Sequence, residues 1–61
     1  MSMFLVIYES GQETVFTYSV NALSPDDARA KAEAFLAKNP EHDVRSDFPE
    51  IAVRVEEFDA G

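Results

Sequence analysis

The sequence has no cysteine, no tryptophan, a single histidine and only two glycines, and its five basic residues face 12 acidic ones. Without cysteine there is neither a disulfide framework nor a thiolate zinc site. With glycine only at Gly11 and Gly61 there is no glycine-rich phosphate loop. A net charge of −7 disfavours binding to nucleic acid or to an anionic membrane, because both present negative charge themselves. These absences favour a protein partner.

The shortness of the chain limits it further. Residues 1–61 suffice for a single small domain, which buries only about 60% of the surface that its unfolded chain exposes. A catalytic pocket of about 300 Å³ or more would hollow out the one available core. We therefore predict a protein that is not an enzyme and that uses no cofactor.

Apolar residues are nevertheless frequent. They make up 46% of the chain, which is too many for a disordered acidic tail. The apolar run at residues 3–8 has no basic lead-in and no cleavage site, and it is far shorter than the roughly 20 residues of a membrane-spanning helix. We expect a soluble, cytosolic protein.

Three segments have the pattern of β-strands. Residues 3–8 are apolar throughout, which predicts a central strand buried on both faces. Residues 9–13 predict a five-residue hairpin loop. Residues 14–20 alternate, with Phe16, Tyr18 and Val20 on one face and Val15, Thr17 and Ser19 on the other. Residues 51–58 also alternate and predict a strand with one face in solvent.

Residues 25–38 predict a helix. Ser24 is suited to cap its first amides, Pro25 fits its first position, and Leu23 fits the position of a hydrophobic staple. Asp26 and Asp27 lie where the helix dipole favours negative charge. Asn39-Pro40 ends the helix. The expected buried stripe comprises Ala28, Ala32, Phe35 and Leu36.

The order strand, strand, helix, strand predicts an α+β domain of ββαβ type. Its third strand runs antiparallel to the first and pairs with it, which gives a three-stranded antiparallel sheet of order 2-1-3. The single helix covers one face of this sheet. The other face stays open, and it is a candidate surface for binding a partner or for self-association.

This topology sorts the acidic residues to the two ends of the sheet. One end carries the hairpin and the helix-to-strand loop, with Glu9, Glu13, Glu41, Asp43, Asp47 and Glu50. The other carries the helix start and the end of the last strand, with Asp26, Asp27, Glu56, Glu57 and Asp59. Any one carboxylate is explained by solubility alone, but a net charge of −7 exceeds what solubility requires.

Clustered carboxylates are able to imitate phosphates. Proteins that bind nucleic acid hold Lys and Arg in a groove, and an acidic domain can occupy that groove instead. The helix dipole already accounts for Asp26 and Asp27. The predicted partner-binding residues are therefore Glu9, Glu13, Glu41, Asp43, Asp47, Glu50, Glu56, Glu57 and Asp59.

Other chemistry has weaker signals. Asp43, Asp47 and Glu50 offer oxygen ligands for a loose calcium site, but their spacing is not that of an EF-hand. His42 lies between two acids and has no second histidine to complete a zinc site. We therefore predict no metal site, while a metal- or ligand-binding module at residues 41–50 remains a third hypothesis. Phe48 and Phe58 lie among acids, either at the edge of the core or as anchors in an interface.

The chain resembles the small acidic anti-CRISPR proteins that phages encode. The likeness extends over the segments FLVIYES, TVFTYSV, LSPDDARAKAEAFLAKNP and IAVRVEEFD, which make up nearly the whole chain. It is most similar to those that inhibit type I systems by blocking the DNA-binding surface of the Cascade complex. The resemblance implies a stoichiometric inhibitor in the bacterial cytosol, with the large (Cas8-like) subunit of Cascade as its target.

The predicted function is therefore that of a non-enzymatic inhibitor, a DNA mimic that binds a basic nucleic-acid-binding protein. The alternative is a self-associating regulatory or antitoxin-like module that uses the open face of the sheet. The two hypotheses are compatible, because a homodimer would place two acidic surfaces side by side. The sequence leaves open whether the protein is a monomer or a homodimer.

Overall fold

A computed structural model describes residues 2–48 and 50–58. It contains strands β1 (Ser2–Ser10), β2 (Glu13–Ala22) and β3 (Ala52–Phe58), and helix α1 (Pro25–Lys38), which is followed by a 3-10 turn at Pro40–His42. Both outer strands pair antiparallel with β1, in the order β2-β1-β3. The predicted α+β fold is confirmed, and the helix has the bounds that its capping residues indicated.

The hairpin between β1 and β2 is tighter than expected. Its loop is Gly11-Gln12 alone, because Ser10 and Glu13 already pair with each other, so the predicted five-residue loop is wrong. Gly11 has a φ of 64°, while no other described residue has a positive φ, as in a type II′ turn. Polar residues extend both strands here because backbone pairing does not require apolar side chains.

The hairpin also contains an irregularity that the alternation of β2 did not reveal. Tyr8 pairs with Phe16 and Glu9 pairs with Thr14, so Val15 is the extra residue of a β-bulge. Val15 packs against the core. The expectation that it shares the opposite face with Thr17 is therefore wrong, since the bulge breaks the two-residue period.

The start of α1 is held by polar contacts. Ser24 Oγ accepts a hydrogen bond from the backbone N–H of Asp27 at 3.1 Å, as predicted for an N-cap. The Asp27 carboxylate accepts one from the N–H of Leu23 at 3.0 Å. Leu23 itself is 78% exposed, so the predicted hydrophobic staple is wrong. Its expected contact, four positions into the helix, is the buried and short Ala28, which offers little surface to Leu23.

The core lies between the sheet and α1. The central strand contributes Phe4, Val6 and Tyr8, all at most 2% exposed. The small side chains of Ala28 and Ala32 let the helix approach the sheet closely. The partly buried residues packed around this core include the expected aromatics Phe16, Tyr18 and Phe35.

The other face of the sheet has no layer over it within the described chain. Met3, Leu5 and Ile7 alternate with the core residues of β1, and their partners on β3 are Phe58, Glu56 and Arg54. Ile7 is nevertheless only 5% exposed, which shows that its neighbours cover it. This open face is therefore less apolar at its surface than the run of residues 3–8 suggested.

Candidate acidic interface

The antiparallel register fixes which acidic residues lie at the same end of the sheet. Glu9 pairs with Ala52 at one end, and Met3 pairs with Phe58 at the other. We call the first end the loop pole; it holds Glu9, Glu13, Glu41, Asp43, Asp47 and Glu50. The second is the helix-start pole, with Asp26, Asp27, Glu56 and Glu57. The predicted Asp59 lies outside the described residues.

Asp43 is neutralised within its own loop. Arg45 donates from Nε to Oδ1 at 2.8 Å and from an Nη to Oδ2 at 2.7 Å, and its backbone N–H donates to Oδ1 at 3.0 Å. These bonds lower the pKa of Asp43 to about 2 and raise the pKa of Arg45. Because both carboxylate oxygens are occupied, Asp43 is a poor candidate for partner binding.

Arg54 pairs with two further acids. Its Nε donates to Glu9 Oε1 at 2.8 Å, and an Nη donates to Oε1 of Glu56. Glu9 lies diagonally across the strand pair, whereas Glu56 is two residues along β3. All three side chains project from the open face, where the single guanidinium offsets one of the two carboxylate charges and leaves one negative charge.

Four of the predicted residues, Glu13, Asp47, Glu50 and Glu57, have no cationic group within 4.0 Å in the described chain, and all four are exposed. The only basic side chain within 4.0 Å of the Glu41 carboxylate in the described chain is His42, whose Nε2 lies 3.9 Å from Oε1. The structure thus narrows the candidate interface to five carboxylates, of which all but Glu57 belong to the loop pole.

One aromatic ring near these acids has a structural role. The ring of His42 stacks on Phe35, with centroids 5.8 Å apart, so it helps to hold the 3-10 turn against α1. Phe48 is half-buried. Phe58 differs, because it is 42% exposed at the end of β3 and remains a candidate anchor.

Within residues 2–48 and 50–58, no group of three or more His, Cys, Asp or Glu side chains is arranged to hold a metal ion. None of the described helices is long and apolar enough to cross a membrane.

The hydroxyl of Tyr8 is buried, with no hydrogen-bond partner among the described residues. Burial, followed by the charge of Glu33, raises the pKa of this phenol.

One feature of the structure was not predicted from the sequence. A groove of about 310 Å³ runs between β2 and α1, with Lys31 and Lys38 among its lining residues. The signal was present in the helix, where both lysines lie on one side together with Ala34. It was missed because the order of the strands alone does not show how far a helix stands from the edge of its sheet.

Comparison with protein-family models, with curated proteins and with solved structures finds no match to this chain. Its function is therefore inferred from its own residues and their geometry.

Proposed function

We propose that this protein is a non-enzymatic inhibitor whose acidic loop pole imitates nucleic acid and occupies the basic groove of a nucleic-acid-binding protein. The observation that carries the proposal is a set of exposed carboxylates at this pole with no cationic group within 4.0 Å in the described chain. These are Glu13, Asp47 and Glu50, and Glu41 belongs to the same pole. By contrast, the carboxylates of Asp43 and Asp27 are held within the chain, the first by Arg45 and the second by Lys31 and the N–H of Leu23.

The electrostatics of such a complex are well defined. Duplex DNA presents one negative charge per roughly 1.7 Å of its axis, and its partners hold Lys and Arg to meet it. Exposed carboxylates are able to reach the same cations without reproducing the spacing of phosphates. Because the attraction acts between exposed charges, the complex should form rapidly and weaken as salt rises.

The resemblance to anti-CRISPR proteins supports a specific target. On that basis the protein acts in the bacterial cytosol and blocks the DNA-binding surface of a type I Cascade complex, at its large subunit. The direct experiment is a gel-shift assay in which the protein competes with target duplex for purified Cascade. Failure to displace the duplex at any salt concentration would reject this target.

A matched pair of variants tests the role of the pole. Asp47→Asn with Glu50→Gln removes two negative charges, and Ala30→Lys with Ala37→Lys adds two positive charges on exposed helix positions, so both have the same net charge. The pole variant should bind the basic partner about tenfold more weakly, as lost contacts at a charged interface do. Equal weakening by both variants would mean that net charge alone governs binding.

The second candidate function is that of a self-associating module. It is favoured by the partly exposed Met3 and Leu5 on the open face and by the 42% exposed Phe58 beside them. Leu5→Lys should then convert a dimer to a monomer in analytical ultracentrifugation, whereas Ala30→Lys on the solvent side of α1 should not. A wild-type protein that stays monomeric at millimolar concentration would exclude this function.

A further inference from the structure

After Glu13, the outer edge of β2 lacks the charged residues and prolines that usually protect an edge strand. Residues 14–22 contain no charged residue and no proline, and the outer side of β2 pairs with no strand of the described chain. Exposed edges of this kind are templates for pairing with another chain, which is why charges, prolines or a covering element usually protect them. The bulge at Val15 lies near the hairpin and leaves most of the strand regular.

Helix α1 and this edge together form a groove with an apolar floor. Tyr18 and Val20 of β2 line one side, and Ala34 and Phe35 of α1 line the other, around a volume of about 310 Å³. The rings of Tyr18 and Phe35 are stacked with centroids 4.8 Å apart. A bulky apolar side chain therefore finds aromatic surface next to the outer backbone groups of β2, which pair with no strand of the described chain.

The helix side of the groove is basic, in a chain that is otherwise acidic. Lys31 pairs with Asp27 at 3.3 Å and donates to the carbonyl of Asn21 on β2 at 2.9 Å. Lys38 has no acidic group within 4.0 Å in the described chain, whereas all three arginines of the protein are paired. Lys38 is therefore available to an external anion.

We propose that this groove binds an extended segment of a partner protein, in which a bulky apolar residue is flanked by Asp or Glu. The segment adds to β2 as a fourth strand, places its apolar side chain over Tyr18 and Phe35, and directs a carboxylate to Lys38. Strand addition supplies affinity through the backbone, and the pocket beside it supplies selectivity. A second copy of this chain fits less well. If two β2 edges paired across a two-fold axis, the lysines of both grooves would lie along the same interface, where their like charges repel.

The proposal does not rest on the acidic loop pole, since it uses other residues of another surface. The probe is the blocked peptide acetyl-Glu-Val-Phe-Val-Glu-amide, titrated into the isotope-labelled protein and followed by amide chemical shifts. We expect shifts confined to β2 and to the side of α1 that carries Lys38. A control peptide with Lys in place of both Glu residues should bind at least fivefold more weakly.

Backbone pairing is tested with methylated peptides. An extended strand donates to its neighbour from alternate residues, so N-methylation of one alternate set should abolish binding and N-methylation of the other should not. Equal binding of both methylated peptides would overturn strand addition. Shifts on the open face of the sheet, or no binding at millimolar peptide, would overturn the proposal altogether.

Two pairs of variants locate the site within the folded protein. Ala34→Trp should fill the groove and abolish binding, whereas Ala37→Trp, on the neighbouring exposed turn, should leave it intact. Lys38→Gln should weaken binding about fivefold, as for an exposed ion pair, while Ala37→Glu has the same net charge and should not weaken it comparably. Concentration-dependent shifts on β2 without peptide would show that a second copy occupies the edge and would overturn the peptide assignment.

Discussion

The two edges of the sheet are built differently. Strand β3 carries Arg54, Glu56 and Glu57, and Arg54 bridges two acids across its surface. Strand β2 carries no charge after Glu13, and Lys31 of α1 bonds to the carbonyl of Asn21 near the end of this strand. Charge within an edge strand discourages pairing with another chain. The contrast suggests that β3 is closed to strand addition whereas β2 is suited to it.

The same contrast separates the two proposed interactions. The unpaired carboxylates belong mainly to loops at one end of the sheet, while the groove lies along the side of the sheet that β2 borders. Different residues serve each surface, so variants at one should leave the other unchanged. The following predictions test the comparison of the edges, beginning with the largest expected effect.

Loss of the packing between α1 and the sheet should destabilise the whole domain, and with it both edge strands. Leu36 is fully buried in the core between α1 and the sheet, so Leu36→Ala should lower the free energy of unfolding by about 2–5 kcal/mol. The neighbouring Ala37→Gly, which is exposed, should cost only about 1 kcal/mol. Urea unfolding followed by circular dichroism measures both. Similar losses would mean that α1 packs loosely and that the groove is not a fixed feature.

Removal of charge from β3 should make it resemble β2. Arg54→Thr with Glu56→Thr leaves the strand without the ion pairs of its open face, and we expect the variant to associate at concentrations where the wild type does not. The cost in folding free energy should be below about 1 kcal/mol, because the pairs are exposed. Sedimentation velocity over a concentration series is the measurement. An unchanged sedimentation coefficient would show that charge on β3 is not what protects this edge.

Tyr8 lies between the two edges, with Phe16 of β2 and Val53 of β3 as its partners across the strands. Its buried hydroxyl has no hydrogen-bond partner in the described chain, so Tyr8→Phe should be neutral or stabilise the protein by up to about 1 kcal/mol. Thermal unfolding at pH 7 tests this. A loss of more than about 1 kcal/mol would show that the hydroxyl is hydrogen-bonded in solution.

The same variant predicts a pH dependence. Burial raises the pKa of Tyr8, so between the unfolded value near 10 and the higher folded value the native state holds a proton that the unfolded state has lost. Wild-type stability should therefore fall as pH rises above about 10, and the Phe variant should lack this contribution. If the free energy of unfolding changed with pH in the same way in both proteins, the burial of the phenol would be contradicted.

The smallest effect concerns Asp43 in the loop that leads to β3. Its pKa of about 2 is below the ordinary value of 3.8, so its contribution to stability is complete above pH 4 and is lost as pH falls toward 2. In Arg45→Ala the midpoint of the Asp43 titration, measured by carbonyl chemical shifts, should return toward 3.8. A midpoint that stays near 2 would assign the shift to another cause.

Local sequence signals gave most of the fold. The cap of Ser24, the position of Pro25 and the stop at Asn39-Pro40 depend on neighbours within a few residues, and they placed α1 correctly. The tight hairpin and the bulge at Val15 were not predicted, because they depend on how two strands pair rather than on either strand alone. The hydrophobic staple expected of Leu23 did not form, because the residue at its contact position is the short Ala28, already buried against the sheet.

For the interface, the sequence identified the acidic residues but not which of them stay unpaired. The pairing of Asp43 with Arg45 is local, two residues apart, and was within reach of the sequence. That of Glu9 with Arg54 joins residues 45 positions apart, and only the register of β1 against β3 brings them together.

The sequence by itself determined the elements, their order and the acidic character of both ends of the sheet, because propensity, capping and net charge are properties of short segments and of composition. Tertiary structure alone decided which carboxylates remain available and that an uncharged edge lies beside a lysine-lined groove. Ion pairs and grooves arise from groups that are distant along the chain and adjacent only once the sheet and helix have packed.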